Sequence, residues 1–534
     1  MRMQPLSPKN RHRWLTRWAL TSALLATTDS CPLAGLAQPP RQPTSNDSTA
    51  VSQLENAIEN AIAIASPSVV AISRAAPQKL APDELRVGTG FNDFRVNAPA
   101  DDGAAVVGAG VIIDSTGLVL TQFLSVHEGD QHRITTVDRK TYPATVRAAD
   151  ARSGLAVLAI APKSQASPLQ RAGNTTNPAP TQPASAPSTF PAIRFADTAP
   201  LRKGQFVIAL GNPFAIKTDG QPSASWGTIT NLARKAPAGT NLNDTPGPAN
   251  DFRTTLHHLG TLIQTDARLG FSTGGGALVN MRGELVGITT TAATIAGHEQ
   301  PAGYAIPMNA AFRTIIETLK AGREVEYGMM GVGFGQQQLE TPTGRTSRLT
   351  LLQVYPGSPA ARAGLEGGDA VTHVDEKAVS DVDDVQLAVS LLRPATTTTI
   401  GYIRGGQSTT ARVTLAKLAP LSKNIVSVRP ESWQGMRVDY PTALTALELS
   451  QAIASATYDP AGCVLVTDVE EDSMAWKAGI RKGMFVNRVG KSRVSTPAEF
   501  QAATRDAGDS FDVQLTKPVE PTPEKSKPNA SNQE

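Results

Sequence analysis

Residues 272–280 read STGGGALVN, so three successive glycines lead directly into a short apolar run. No Lys-Ser or Lys-Thr pair follows the glycines, which means that the stretch lacks the pattern of a phosphate-binding loop. A glycine-rich turn before a short apolar run instead favours a turn that leads into a β-strand.

Similar short apolar runs alternate with turns rich in Gly, Asp and Asn from residue 51 to about 310. Six such runs are residues 68–72, 109–113, 118–121, 156–160, 206–210 and 285–288. Many short strands without alternating helices predict antiparallel β-barrels. Residues 51–62 instead have the apolar spacing of a short amphipathic helix. Three stretches rich in polar residues, Pro or Gly are predicted to be long surface loops: residues 76–104, 164–190 and 236–254.

The chain has 534 residues, of which 40% are hydrophobic and 18% charged, a composition that excludes a wholly disordered or fibrous protein. Residues 1–37 combine a basic start, an apolar stretch and the small residues Gly35 and Ala37, which predicts a secretory signal peptide. The apolar stretch is too short for a comfortable membrane anchor. Cys31 leaves a lipoprotein as a weaker alternative, because the residues before it fit the lipoprotein signal poorly.

Removal of residues 1–37 takes five of the 50 basic and one of the 47 acidic residues, so the remaining chain has a net charge of −1. The sequence contains no stripe of basic residues of the kind that would indicate a nucleic-acid partner. Cys463 is then the only cysteine, which excludes an internal disulfide. We expect an exported protein of the periplasm or cell envelope without a stable membrane span once the signal is cleaved.

An internal repeat occupies the C-terminal third. Nine residues recur 115 positions later; for example, Val354, Ser358 and Gly364 return as Val469, Ser473 and Gly479. The repeat predicts two related domains, at residues 326–417 and 430–517. The polar residues 38–50 are predicted to be a disordered linker, and residues 518–534 a disordered tail.

A series of motifs, in order, resembles the HtrA (DegP-like) family of exported trypsin-fold serine proteases with C-terminal PDZ domains. The motifs are residues 108–114 (GAGVIID), 211–214 (GNPF), 227–229 (GTI), 263–267 (IQTDA), 277–280 (ALVN) and 303–307 (GYAIP). The resemblance implies a mainly β protein. It would have a trypsin-like double six-stranded antiparallel β-barrel over residues 51–320, followed by PDZ domains at 326–417 and 430–517.

The same resemblance places the catalytic histidine, aspartate and serine at Leu124, Gly154 and Gly274. Neither leucine nor glycine transfers a proton or attacks a carbonyl, and loss of a triad costs about 10⁶ in turnover in a well-studied case. The backbone N–H groups of Ser272 and Gly274 are the expected remnant of an oxyanion hole. We expect that hole to be distorted, because Phe271 replaces a proline and Ser272 a glycine of the family. These substitutions predict a pseudoprotease.

Two alternatives concern neighbouring residues. Replacements for the lost triad are offered by four neighbouring residues: His127, Asp150, Ser272 and Thr273. Such a rearranged site would make the chain an active endopeptidase of envelope quality control. His127 is more simply interpreted as a surface turn residue. His257 and His258 lack further metal ligands at suitable spacing and are interpreted as a solvated loop or barrel-edge pair. No metal and no cofactor is expected.

Each repeat begins with a glycine turn that, in the family, receives a peptide's C-terminal carboxylate. These turns are Met330-Gly331-Val332 and Gln434-Gly435-Met436. Because that mode needs backbone geometry and an apolar pocket, it survives loss of the triad. The expected partners are peptides or protein C-termini, unfolded exported proteins and, in a trimer or larger assembly, copies of the chain itself or an active relative. The function would be that of a scaffold, a chaperone-like holder or a regulator; a purely structural assembly protein is the further alternative.

Overall fold

The computed structural model of the chain describes residues 45–75, 104–127, 129, 131–161, 189–197, 200–236, 255–269, 273–291, 303–341, 344–419, 424–444, 446–508 and 511–516. The chain divides into two units, Met1–Gln53 and Leu54–Glu534, and the architecture below belongs to the second. The predicted signal peptide, most of the three predicted loops, and the C-terminal tail lie outside the described residues. No helix among the described residues is both long and apolar enough to cross a membrane.

Helix α1 (Ser45–Ala65) confirms the amphipathic pattern, and Ala61 and Ala65 are fully buried on its inner face. The prediction of a disordered linker over residues 38–50 is wrong for its last six residues, because α1 already begins at Ser45. The last proline before the helix is Pro43, so no proline interrupts residues 45–50.

The first barrel comprises six strands in the closed order β5-β4-β1-β2-β3-β6, with β6 pairing back onto β5. Their bounds are β1 (Val69–Ala75), β2 (Ala104–Ile112), β3 (Leu118–Gln122), β4 (His132–Thr135), β5 (Thr141–Asp150) and β6 (Leu155–Ile160). Each strand is short and rich in β-branched or small apolar residues, as the sequence pattern predicts.

The second barrel closes in the order β10-β11-β12-β9-β8-β7. Its strands are β7 (Phe206–Gly211), β8 (Ser223–Arg234), β9 (Leu262–Thr265), β10 (Ala277–Val279), β11 (Leu285–Thr290) and β12 (Gly303–Pro307). Helix α2 (Pro213–Asp219) follows β7 and helix α3 (Ala310–Lys320) follows β12. All six apolar runs singled out in the sequence lie in, or overlap, strands of the two barrels.

The first repeat contains a six-stranded sheet, in the order β14-β15-β16-β18-β19 with β17 paired to β16, and two helices. Its elements are β13 (Gly328–Met329), β14 (Val332–Thr341), β15 (Gly344–Val354), α4 (Pro359–Arg362), β16 (Ala370–Val374), β17 (Lys377–Ala378), α5 (Val382–Ser390), β18 (Thr397–Arg404), β19 (Gln407–Thr414) and β20 (Ala416–Lys417). Strand β14 lies at the edge of this sheet, and β13 pairs with β20.

The second repeat follows the same order of strands and helices. Its elements are β22 (Met436–Asp439), α6 (Ala446–Ala454), β23 (Val464–Val469), α7 (Met474–Lys477), β24 (Phe485–Val489), β25 (Ser492–Arg493), α8 (Pro497–Ala507) and β26 (Val513–Leu515). Matching serines cap α4 and α7: Ser358 accepts a hydrogen bond from the N–H of Ala361, and Ser473 from that of Trp476. Helix α6, between β22 and β23, has no counterpart in the first repeat.

One strand has no counterpart in the sequence prediction. Strand β21 (Ile425–Val426), in the connection between the repeats, pairs antiparallel with Ala149 and Ala148 of β5. The connection therefore adds a seventh strand to the sheet of the first barrel.

Candidate functional site

The three positions of the degenerate triad lie on segments that contact one another. Leu124 belongs to a short 3₁₀ helix after β3, Gly154 to the turn between β5 and β6, and Gly274 to the turn before β10. The N–H of Phe123 donates to the carbonyl of Gly154 over 2.7 Å. The side chain of Gln122, next in the chain to Phe123, lies against Gly274. The fold therefore brings together the positions that the sequence predicts to be equivalent to a triad.

Gly154 faces the ring of His257. A Cβ atom at this glycine would lie 2.4 Å from Nε2 of His257, closer than any real contact allows, and the backbone has φ +71°, which favours glycine. Burial, with a smaller effect of the neighbouring His258, lowers the pKa of His257 to about 4. Among the described residues, Nδ1 of His257 has no hydrogen-bond partner. A neutral imidazole thus occupies the space that an aspartate side chain would need.

Gly274 faces Gln122 in the same way. A Cβ atom at Gly274 would lie 2.3 Å from Nε2 of Gln122. The amide oxygen of this glutamine accepts the N–H of Thr291 over 3.3 Å, which holds the side chain in place. The carbonyl of Gly274 accepts the N–H of Ala109 on β2 over 3.0 Å. A serine side chain at Gly274 would therefore collide with the glutamine. The other half of the predicted oxyanion remnant, Ser272, lies outside the described residues.

Leu124, in the place of the general base, is 56% exposed. His127 is exposed, as predicted, and its Nδ1 lies 3.4 Å from a guanidinium nitrogen of Arg74. Asp150 is buried, and its Oδ2 accepts hydrogen bonds from the N–H of Ser153 and the hydroxyl of Tyr327. Burial raises the pKa of Asp150, against the lowering effect of those hydrogen bonds. The carboxylate therefore serves as a buried acceptor for Ser153 and Tyr327.

The prediction of a solvated histidine pair is wrong. His257 is 3% and His258 6% exposed. They are the two central residues of the 3₁₀ helix Leu256–Leu259, which packs against the barrels and helix α5 of the first repeat. The helix is fixed because the N–H of Leu256 donates to the carbonyl of Arg152 over 2.8 Å. Adjacent polar residues suggested a surface, but neighbouring elements cover them.

The turn 150–154, which would present the catalytic acid, instead holds the first repeat. The Arg152 guanidinium lies 5.3 Å from the ring centroid of Tyr327, in the connection to the first repeat. Its Nη2 also donates to the hydroxyl of Ser390, at the end of α5, over 2.8 Å. Sequence reasoning missed these contacts, since they join residues more than 170 positions apart.

Helix α5 docks on the second barrel through one face. Lys235, just after β8, pairs with Asp383 over 2.6 Å and with Asp381 over 3.0 Å. Leu387, one helical turn after Asp383, packs against the apolar cluster of the barrels. The opposite face, with Val385 and Val389, belongs to the core of the first repeat. One helix thus connects the first repeat to the barrel domain.

The predicted carboxylate-binding turn of the first repeat rests on the start of helix α4. The carbonyl of Met330 accepts the N–H of Ala360 over 3.0 Å, and that of Gly331 accepts the N–H of Tyr355 over 3.2 Å. Gly331 has φ +75°, and a Cβ atom there would lie 2.5 Å from Cβ of Ser358. Glycine is therefore required at the centre of this turn.

An apolar groove follows this turn. Val332 and Phe334 on β14, and Ala388 on α5, are partly buried and pack against the core cluster that contains Met330 and Val385. Strand β14 pairs with β15 along one edge only. In the second repeat, Gln434 and Gly435 have φ of 52° and 85°, and Met436 begins β22. The fold thus places both predicted turns at the start of an edge strand.

Two regions of the chain match known protein domains. Residues 108–288 match the trypsin-like peptidase domain, and residues 328–415 match the PDZ domain. The periplasmic pH-dependent serine endoprotease DegQ of Escherichia coli is 27% identical over 416 residues, which is 77% of this chain and 78% of DegQ. A probable periplasmic DegP-like serine endoprotease of Chlamydia pneumoniae is 27% identical over 409 residues, or 76% of this chain and 72% of the relative. The HtrA-type protease AlgW, solved with a decapeptide, is 24% identical with a TM-score of 0.46 and covers 68% of this chain and 99% of its own.

Proposed function

We propose that this chain binds peptides without cleaving them. The proposal starts from its similarity to the DegP and DegQ proteases of the HtrA family and from its matches to a trypsin-like peptidase domain and a PDZ domain. Its relatives are periplasmic, in agreement with the location in the periplasm or cell envelope that the sequence predicts. The proposed ligands are the C-termini and unfolded segments of exported proteins.

One observation carries the proposed inactivity: other side chains fill the space at two of the three triad positions. His257 lies against Gly154 and Gln122 against Gly274, so the cleft lacks both the groups and the room for them. Acyl transfer needs a nucleophile and a base within hydrogen-bond reach, about 3 Å. Leu124 supplies neither function, and Asp150 is already bound to Tyr327 and Ser153.

The first repeat retains what peptide capture needs. A peptide would add as a strand to the outer edge of β14, with its terminal carboxylate at the turn around Gly331. Its last side chain would enter the groove lined by Phe334 and Ala388, so we propose an apolar C-terminal residue. Bound segments would be held rather than degraded, which suits a scaffold, a chaperone-like holder or a regulator. Assembly with itself or with an active relative is part of the same proposal.

Labelling with a serine-reactive fluorophosphonate, together with a casein cleavage assay, tests the inactivity. We expect neither labelling nor cleavage under conditions in which an active homologue such as DegQ shows both. Labelling that disappears in a Ser272→Ala variant would instead identify an active endopeptidase with rearranged residues.

A pair of glycine variants tests peptide capture. Gly331→Val places a side chain against Ser358, whereas Gly405→Ala has a comparable positive φ but no atom within 4 Å of the new Cβ. We expect Gly331→Val to weaken binding of a fluorescent peptide with an apolar C-terminus at least about tenfold, and Gly405→Ala to preserve it. Equal binding by both variants would show that the turn around Gly331 does not receive the peptide, whereas no binding by the unaltered chain would favour the purely structural alternative.

A further inference from the structure

The glycine turn of the second repeat is closed by the chain itself. Trp433 and Met436 exchange two backbone hydrogen bonds, each 2.9 Å long. The two residues between them, Gln434 and Gly435, both have left-handed φ angles, 52° and 85°. This is the pattern of a tight two-residue hairpin turn. The N–H of Met436 is therefore already donated to a carbonyl of the same chain.

The position of Trp433 follows from the geometry of the sheet. Met436 pairs with Val469 of β23 on one side and with Trp433 on the other. In an antiparallel sheet a residue directs its N–H and C=O to the same side, and Met436 directs both to Trp433. Trp433 thus occupies the outer edge of β22, which is the edge to which a peptide ligand adds in a PDZ domain.

The indole of Trp433 packs against helix α8. Its ring lies edge-on to Phe500 of α8, with centroids 5.9 Å apart, and stacks on Phe511 at 5.4 Å. Phe500 stands 115 residues after Val385, which lies on α5 in the first repeat. The Arg437 side chain also donates to the carbonyl of Pro430 over 3.2 Å, which holds the preceding residues beside β22.

The two repeats differ at this point. In the first repeat the residues before the turn, Gly328 and Met329, pair with β20 instead. In the described residues no strand covers the outer edge of β14. The covered groove is therefore specific to the second copy.

We propose that Trp433 is an intramolecular ligand that closes the groove of the second repeat. An external ligand would be a peptide with a free carboxylate, whose last side chain takes the place of the indole beside Phe500 and Phe511. Such a peptide binds only when Trp433 leaves the groove. This inference extends the proposed peptide binding to the second repeat, but it does not require that the first repeat binds.

Counting the binding sites tests the inference. The probe is a fluorescent Gly/Ser decapeptide that ends in tryptophan with a free carboxylate, titrated into the full-length chain. In a Gly331→Val background, and at peptide concentrations at which the weakened first site stays empty, we expect no bound peptide with Trp433 present and one with Trp433→Ala. The same peptide with a C-terminal amide should not bind. A gain from zero to one supports the inference even if the unaltered first repeat binds nothing.

Two results would overturn the inference: one peptide bound at the second repeat with Trp433 in place, or no gain from a folded Trp433→Ala variant. Trp226→Ala is the matched control, because Trp226 is 57% exposed on the second barrel, and it should change nothing.

If Trp433→Ala does not fold, hydrogen exchange of the Met436 amide in the unaltered chain tests the inference instead. In the unaltered chain this amide should exchange at least about tenfold more slowly than a free edge amide. Exchange at the rate of an open edge would contradict the closed groove.

Discussion

Two side chains determine the chemistry of the barrel cleft. His257 and Gln122 lie where the side chains of an aspartate at position 154 and a serine at position 274 would have to be. Simple truncation of a triad would leave empty space, but here the space is filled. Installing an aspartate and a serine at these positions, with His257 and Gln122 left in place, should therefore not create activity.

Installing all three triad residues tests this expectation. We expect the triple variant Leu124→His, Gly154→Asp, Gly274→Ser to remain inactive in casein cleavage and to lose about 3–7 kcal/mol of unfolding free energy in urea. Two overpacked sites cost about 1–3 kcal/mol each, and a non-glycine residue at φ +71° adds about 1 kcal/mol. Adding His257→Ala and Gln122→Asn should recover most of that stability. Activity of the triple variant alone would contradict the account.

The buried His257 predicts a stability change at acid pH. Its pKa is about 4 in the folded chain against 6.5 when unfolded. The unfolded state therefore binds the proton first, and the stability present above pH 6.5 is lost as the pH falls towards 4, by about 3 kcal/mol. Urea unfolding at several pH values, compared between the chain and His257→Gln, measures this. An equal pH dependence in both would contradict the buried neutral imidazole.

The sequence predicts which positions correspond to a triad, whereas the side chains that lie against those positions could not be predicted from it. Leu124, Gly154 and Gly274 were found because flanking motifs fix the register on either side. His257 was misinterpreted because two adjacent histidines indicate a surface, and their burial depends on helix α5, more than 120 residues away. The contact of Gln122 with Gly274 could not be predicted in the same way, because it joins residues 152 positions apart.

Among the elements, strand β21 connects the repeats to the first barrel. The N–H of Ser427, directly after β21, donates to the carbonyls of Arg147 and Gly322, each over 3.1 Å. The N–H of Val428 donates to Gly322 over 2.9 Å. The connection between the repeats is therefore held along the barrel by its backbone.

A proline at Ser427 tests the role of this strand. Ser427→Pro removes the donor and should cost about 1–2 kcal/mol of unfolding free energy, with faster amide exchange at Ala148 and Ala149. Ser427→Ala keeps the N–H and is the matched control. Unchanged exchange in the proline variant would show that β21 does not hold the connection.

The strands of the barrels were predictable because each is an apolar run between turn residues, a local property of the sequence. Strand β21 was not, because Ile425 and Val426 form only a two-residue apolar step beside polar Asn424 and Ser427. The edge of β5 that receives it exists only after the barrel has folded. Pairing with a distant edge leaves no periodic signal in so short a segment.

On the scale of the whole molecule, Lys417 joins three parts of the chain. Its side chain is 3% exposed and lies 3.0 Å from Glu324, before the first repeat, and 2.7 Å from Asp439 in the second. Burial lowers the pKa of Lys417, but Asp439 and Glu324 more than offset this, so that the pKa is raised. The lysine is therefore charged and fixes the two repeats at one junction.

Replacing this lysine should loosen the junction. We expect Lys417→Met to lower the unfolding free energy by about 1–3 kcal/mol, less than the about 3–5 kcal/mol typical of a broken buried pair, because the carboxylates keep partial solvent access. Lys203→Met, at an exposed lysine, is the control and should change little. Equal effects of the two substitutions in urea unfolding would refute the role of the junction.

We propose above all that this chain binds a peptide and leaves it intact. The most direct measurement follows one sample by both fluorescence polarisation and mass spectrometry, with the full-length chain in excess over a labelled peptide that has an apolar C-terminal residue. We predict that the peptide binds saturably, that Gly331→Val weakens this binding, and that all of the peptide is recovered uncut after prolonged incubation. Cleavage fragments that form with the chain but not with its Ser272→Ala variant would contradict it.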